Sequence, residues 1–377
     1  MTLPINPEAF VPGDYIREEL EARGWSQLVL ADIINRPAQA VNEIISGKRS
    51  ITPDTAKSLG EAFGTSAQLW MNLDSAYQLA QLSSQDDVVA RKAKLYDIAP
   101  LKEMQKRGWI ETSTSVDVLE SQILTFYGIA TLGDPIQLRH AARKSTDHGT
   151  LTPSQLAWLC RARNLAAGVP VAGTFSLKTF DKALTELGKL RMEPEEIRHV
   201  PKVLADAGIR LLIVAPLPHT KIDGVTFWLT DDTPVIALSF RYDRIDWFWH
   251  TLMHEMGHVK KGEGKQRPTV DMELVGANAQ RIEEKPESER DADQFAAGFL
   301  VTQSELDKFI AREHPLYSKA KIATFAKRVM VHPGIVVGQL QFRKKIPYAH
   351  SRDLLINVKQ IVMVSTLTDG WGEPVSI

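Results

Sequence analysis

His254-Glu255-Met256-Gly257-His258 is the stretch from which the rest of the chain can be read. Two histidines four apart lie one helical turn from each other on the same face, so both imidazoles can reach one ion. This is a zinc-binding spacing. Glu255, beside the first histidine, is placed to take a proton from a water at the metal rather than to bind the metal itself. A third ligand is then required. Downstream, Lys285 to Leu300 reads as a helix with Pro286 in its first turn and an apolar stripe of Ala292, Phe295, Ala296, Phe299 and Leu300. That stripe, continued backwards, runs through Glu289. A carboxylate on an inward face is costly unless paired or bound to metal, which makes Glu289 the third ligand. Asp293, one turn later, is placed to accept the ring N–H of a ligating histidine; a surface ion pair with Arg290 is the competing placement.

Thirty residues, many of them charged, separate His258 from Glu289, and they read as a mobile flap over a cleft. Ahead of the motif the hydrophobic period changes to that of strands. Arg210-Leu211-Leu212-Ile213-Val214 is a buried strand, 224–229 an alternating one and 234–239 another, with Asp231-Asp232 turning between the last two. A small sheet directly before a metal helix suits a zincin peptidase, whose edge strand pairs with an extended peptide substrate.

At the other end of the chain, residues 12–77 carry dense helix punctuation. A first helix from about Asp14 stops at Gly24, and Ser26 caps a second that begins at Gln27. After the turn Asn35-Arg36-Pro37, a third helix keeps Ala40, Val41, Ile44 and Ile45 inward and ends at Gly47. Thr52-Pro53 caps and opens a fourth, ended by Gly64, and a fifth starts near Ser66. Two short helices joined by a tight turn have the form of a helix-turn-helix that reads DNA. Gln39 and Asn42 point outward, where each can meet an adenine edge in the major groove. Gln27, Lys48, Arg49 and Lys57 are candidates for phosphate contacts. Residues 1–80 hold 6 Lys/Arg against 10 Asp/Glu, net −4, so any attraction to DNA has to be local, and a helical protein-interaction module is the competing reading.

These head residues resemble a known family. Phe10 to Asp14, Gly24-Trp25-Ser26-Gln27, Ala38 to Arg49 and Ile51-Thr52-Pro53 look like HigA-type antitoxins of the Xre helix-turn-helix family, over about 70 residues. The resemblance implies a regulator that binds a double-stranded operator as a homodimer. A second resemblance covers Asp223-Gly224, Pro234-Val235-Ile236, the 254–258 motif and Glu289 to Ala296, which look like the ImmA/IrrE family of zinc metallopeptidases. It puts His254, His258 and Glu289 on that family's metal ligands, Glu255 on its catalytic glutamate and Asp293 where the family often has Asn. The run Arg241 to Trp249 departs from the family's usual Arg-Phe-Thr but resembles the version fused to HigA-like heads.

The whole chain has 377 residues, 44% apolar and 24% charged, with net charge −1, so no global field points to nucleic acid or membrane. Cys160 is the only cysteine, which excludes an intrachain disulfide and suits a reducing compartment. With neither a basic, apolar leader nor an apolar run of membrane length, the expected location is cytoplasmic. Helical patterns recur at 120–127, 153–165 and 180–190, where Trp109, Trp158 and Phe126 read as core. Arg343-Lys344-Lys345 reads as a solvated turn. His314, Tyr317, His332, Tyr348 and His350 all stay open as the group that polarises a scissile carbonyl.

The expected fold is mainly α with a small mixed sheet. It comprises a five-helix helix-turn-helix DNA-binding domain at 1–80, a helical connecting and dimerisation region at 81–200, a zincin-like domain at 201–345 and a tail at 346–377. The expected function is a regulator carrying a zinc endopeptidase that cleaves a protein partner such as a repressor or toxin. The rival is a non-proteolytic HigA-type antitoxin or repressor whose zinc is structural.

Overall fold

A computed structural model describes residues 11–81, 88–136, 143–144, 151–168, 171–265, 268–272, 274 and 285–368. They form two units, Met1–Ala90 and Arg91–Ile377.

The first unit is five helices: α1 (Pro12–Arg23), α2 (Gln27–Ile33), α3 (Ala38–Ile45), α4 (Pro53–Phe63) and α5 (Ala67–Gln81). Local chemistry sets their ends. Gly24 and Gly64 stop α1 and α4 in the left-handed region, at φ 64° and 72°. The Ser26 hydroxyl accepts from the Val29 N–H and the Thr52 hydroxyl from the Thr55 N–H, satisfying donors that the first turn leaves unpaired. Ile16, Leu20, Leu30, Val41, Ile44, Ile45, Leu59, Phe63 and Trp70 close one apolar core, while Ala40, expected inside, is only half-buried.

The second unit begins with α6 (Val88–Ile98), which crosses the boundary, followed by α7 (Leu101–Lys106), α8 (Val116–Tyr127), β1 (Arg143–Lys144) and α9 (Pro153–Ala167). Next come α10 (Leu177–Lys189), α11 (Val200–Asp206), β2 (Arg210–Ile213), β3 (Ile222–Trp228) and β4 (Pro234–Leu238). Helix α12 (Ile245–Lys261) carries the motif, and β5 (Thr269–Met272) and α13 (Glu287–Leu300) follow it. The chain continues through α14 (Gln303–Glu313), α15 (Lys319–Arg328), α16 (Pro333–Phe342), α17 (Lys359–Met363) and β6 (Leu367–Thr368). The sheet is mixed, in the order β1-β5-β3-β4-β2-β6. β2 runs parallel to β4, whereas β3 is antiparallel to both β4 and β5.

Helices cover both faces of this sheet. Leu212, Val225, Phe227 and Val235 pack with Leu95, Leu119 and Trp158 from α6, α8 and α9; Leu211, Ile213, Ile236 and Leu238 pack with Phe180, Leu204, Trp249, Leu252 and Leu340 on the other side. Neighbouring residues of one strand thus enter different cores, as the two-residue period of a strand requires. The alternation at 224–229 signals a strand with one wet face, yet every residue of β3 is buried. Val225 and Phe227 meet one helical layer, and Thr226, polar as it is, faces α12. Helices from the stretch read as a connecting region therefore line both sides of the sheet. Trp158 is fixed among them by its indole N–H on the Val214 carbonyl, 3.0 Å away. Residues of the stretch read as a tail supply β6, parallel to β2. The stretch read as a flap contains β5, a strand inside the sheet; residues 266–267, 273 and 275–284 lie outside the described residues.

Candidate metal centre and nucleic-acid interface

Helix α12 is anchored before its polar turn begins. Asp243 accepts from the backbone N–H groups of Val358 and Lys359 at 2.7 and 2.8 Å, and Arg244 forks onto Asp246 at 2.9 and 2.6 Å. Trp247, Phe248 and Trp249 are fully buried and fix the rotation of the helix. That rotation turns His254, Glu255 and His258, all 0% exposed, inward. Gly257 lets α13 approach, since a Cβ there would lie 3.1 Å from the Cα of Ala292. This close crossing brings Glu289 and Asp293, both buried, to the two histidines.

The Nε2 atoms of His254 and His258 face each other at 3.1 Å. Glu289 reaches the first at 3.2 Å and the second at 3.6 Å. Each ring is held from behind. Nδ1–H of His254 donates to Asp293 at 2.9 Å, and Nδ1–H of His258 donates to Glu263. Asp293 in turn accepts from Lys285 Nζ at 2.6 Å, and His250 Nε2 stands 3.7 Å from its Oδ1. With their Nδ1 sides turned to Asp293 and Glu263, the two Nε2 atoms converge beside Glu289 in a dry site, an arrangement that calls for positive charge between them, whether protons or a metal cation. Two imidazoles and a carboxylate are a donor set that zinc takes.

Two other residues complete the picture. Glu255 Oε2 accepts from Thr226 Oγ1 at 2.6 Å, while its Oε1 has no hydrogen-bond partner among the described residues. Gly224 is what admits it to β3: a Cβ there would stand 2.1 Å from Glu255 Oε1. Asp271, on β5, is 0% exposed and puts Oδ2 3.5 Å from both Nε2 atoms.

The charges are tightly interdependent. Burial, with the Asp271 charge added, pushes the Glu255 carboxyl well above the usual carboxylate range. The same two causes lift Glu289 to about 7. For His258 burial opposes the charged form, but Asp271 outweighs it and carries the imidazole to about 10. Burial likewise opposes ionisation of Asp293, and the neighbouring His250 and His254 imidazoles overcome it and hold the carboxyl low. The carboxylates thus draw positive charge into the cluster.

Residue order had pointed to His254, Glu255, His258, Glu289 and Asp293, and the structure brings these five together. It adds Asp271, Glu263, Thr226 and His250, the last with Nε2 3.7 Å from Asp293. His250 had a signal, since His250, His254 and His258 recur every four residues. Asp271 had none that was local. Of the candidates for carbonyl polarisation, Tyr317 packs in the core with its hydroxyl near the Ile310 carbonyl, and the His332 ring caps α16. A cavity of about 540 Å³ opens beside His250 and Asp293, between α12, α13 and α16, but its lining does not include Glu255, His258 or Asp271.

In the first unit, Gln27, Gln39, Asn42, Lys48 and Arg49 are all exposed. Gln39 and Asn42 lie on α3, and Gln27 opens α2. Glu43 stands among them, accepting from Gln39 Nε2 at 3.0 Å and pairing with Arg49 at 3.3 Å. Arg36 pairs with Asp54 and Lys57 lies 4.0 Å from Glu61. Among the described residues no helix is long and apolar enough to cross a membrane.

Known proteins resemble the two units separately. Residues 16–70 match a helix-turn-helix family model, and residues 205–340 match that of the IrrE N-terminal-like domain. Virulence-associated protein I of Dichelobacter nodosus is 40% identical over 79 residues, 21% of this chain and 72% of that protein. The uncharacterized HTH-type transcriptional regulator YddM of Escherichia coli is 32% identical over 77 residues, 20% of this chain and 82% of that one. A solved structure of the Pseudomonas aeruginosa antitoxin HigA with the higBA promoter is 37% identical, covering 25% of this chain and 98% of that chain with a TM-score of 0.20. With most of two such relatives' lengths matched, the chain belongs to the Xre-type helix-turn-helix family, and it joins to that head an IrrE N-terminal-like domain.

Proposed function

We propose that the chain is a DNA-binding regulator whose second unit is a zinc-dependent endopeptidase acting on a protein partner such as a repressor or toxin. The observation that carries this is the convergence of His254, His258 and Glu289 beside a buried glutamate that is not one of the donors. Zinc held by those three residues supplies Lewis acidity toward a water and a peptide carbonyl. Asp293 and Glu263 orient the two imidazoles. Thr226 holds one oxygen of Glu255, and the other, Oε1, has no hydrogen-bond partner among the described residues. Glu255 is therefore the group to take the proton from the attacking water and return it to the leaving amine. Purified chain should contain stoichiometric zinc by elemental analysis. Protein fragments that appear in cells with the wild type should vanish with Glu255→Gln, which keeps zinc; fragments that persist would end the peptidase reading.

One observation favours a second reading. Asp271 makes the donors four, the number usual in structural zinc sites. In that case the chain is a non-proteolytic HigA-type antitoxin or repressor, and every cellular effect survives Glu255→Gln.

The head binds an operator as a homodimer on this proposal, supported by the helix-turn-helix match and the exposed amides of α3. Two half-sites roughly 34 Å apart would be needed for specificity. Gln39→Ala should cost about 1 to 3 kcal/mol of base preference, whereas Arg49→Ala should weaken all sequences alike. Gel shifts on the chain's own promoter test this; affinity equal to that for scrambled DNA would leave the head as a protein-interaction module.

A further inference from the structure

We infer that β5 occupies the groove meant for a substrate and that Asp271 fills the metal's fourth position, so that the folded chain is a self-inhibited peptidase. This rests on the peptidase reading above and adds a residue to it. The strand that flanks the machinery is β3, since Gly224 lies against Glu255 and Thr226 donates to it. An extended peptide substrate would add to the edge of β3 that faces away from β4. That edge is taken. β5 runs antiparallel along it, with Val225 opposite Val270, Thr226 opposite Thr269 and Gly224 opposite Asp271. Asp271 therefore falls across from the very residue on which Glu255 rests. Its Oδ2 is equidistant, at 3.5 Å, from both Nε2 atoms.

A catalytic zinc site keeps one position for solvent or substrate, and a fourth protein donor removes it. Burial agrees. His254, Glu255, His258 and Asp271 are each 0% exposed, so no peptide reaches Glu255 in this folded state.

Two features mark Asp271 as displaceable, and one further contact holds the strand in place. Neither of its oxygens has a hydrogen-bond partner among the described residues, whereas both histidines are buttressed through Nδ1. A permanent ligand is ordinarily held by such outer contacts. The ladder to β3 is short, and its register shifts between Ile222 and Gly224. Just beyond β5, Asp223 Oδ2 accepts from the Leu274 N–H at 2.7 Å, a latch separate from the metal donors.

The test uses the full chain loaded with cobalt(II), read by its visible absorption, with acetohydroxamate as the probe for an open position. Wild type should show an intense four-coordinate spectrum that acetohydroxamate barely changes. Asp271→Ala should hold metal at least about 10-fold more weakly and change its spectrum on adding the probe. Asp223→Ala keeps all four donors and loses the latch together with the ion pair to Arg241, so Arg241→Ala, which loses the ion pair and keeps the latch, is its control; Asp223→Ala should bind the probe at least about 10-fold more tightly than either wild type or Arg241→Ala. Probe binding equal in wild type and Asp271→Ala overturns the inference alone. So does binding by Asp271→Ala without any by Asp223→Ala, which makes Asp271 a permanent structural ligand. Absence of cobalt from every variant overturns the metal reading, and this inference with it.

Discussion

The two units place their candidate functional residues on opposite sides of the water boundary. In the first, Gln27, Gln39, Asn42, Lys48 and Arg49 are exposed above a core of aliphatic and aromatic side chains. In the second, His254, Glu255, His258, Asp271 and Glu289 are among the most buried residues of the chain, ringed by tryptophans and aliphatics. A surface amide costs nothing when idle, because water satisfies it. A buried carboxylate must be matched by neighbours or by an ion, so each member of the second set depends on the others. Changes in the second unit should therefore be large and mutually dependent, and changes in the first small and independent.

Removing metal should give the largest effect. If zinc is present at 100 to 1,000 times its dissociation constant, chelation should lower the stability of the second unit by roughly 3 to 4 kcal/mol. Hydrogen exchange would show the loss on α12 and α13 and none on α1 to α5; equal loosening of both units would break the comparison. Gly224→Ala comes next. Its methyl would meet Glu255 Oε1, and the forced repacking should cost about 3 kcal/mol in a urea titration followed on the second unit. A cost near zero would mean that Glu255 does not rest on β3.

Asp293→Asn should weaken zinc binding by about 10- to 100-fold in a chelator competition, through the lost anchor on His254 Nδ1. An unchanged affinity would mean that Lys285, not the metal site, is what Asp293 serves. The smallest effect is expected at the surface. Glu43→Gln frees Arg49 and removes a negative charge from the reading face, which should tighten operator binding by less than about 1 kcal/mol without shifting the melting of the head. A stability change above that range would show that the surface of the first unit is as interlocked as the interior of the second.

How far the sequence could be read follows from the same contrast. Helix ends in the first unit are written in single residues, such as Ser26, Thr52-Pro53, Gly24 and Gly64, because a cap or a left-handed stop is a local event. The four-residue spacing of His254 and His258 and the interruption of an apolar stripe by Glu289 are also local, since a helix repeats its face every turn. Those features put side chains on shared faces before any fold was known. The tertiary structure alone decided what stands opposite them. Asp271 lies on a short strand inside a charged stretch, and nothing in its neighbours marks it as facing two histidines. Gly224 and Thr226 matter because β3 passes under α12. The alternation of β3 signals a half-wet strand because periodicity reports one face at a time; helices distant in sequence cover the other. Local pattern fixes which groups a segment presents, and packing between segments remote in sequence fixes which groups meet.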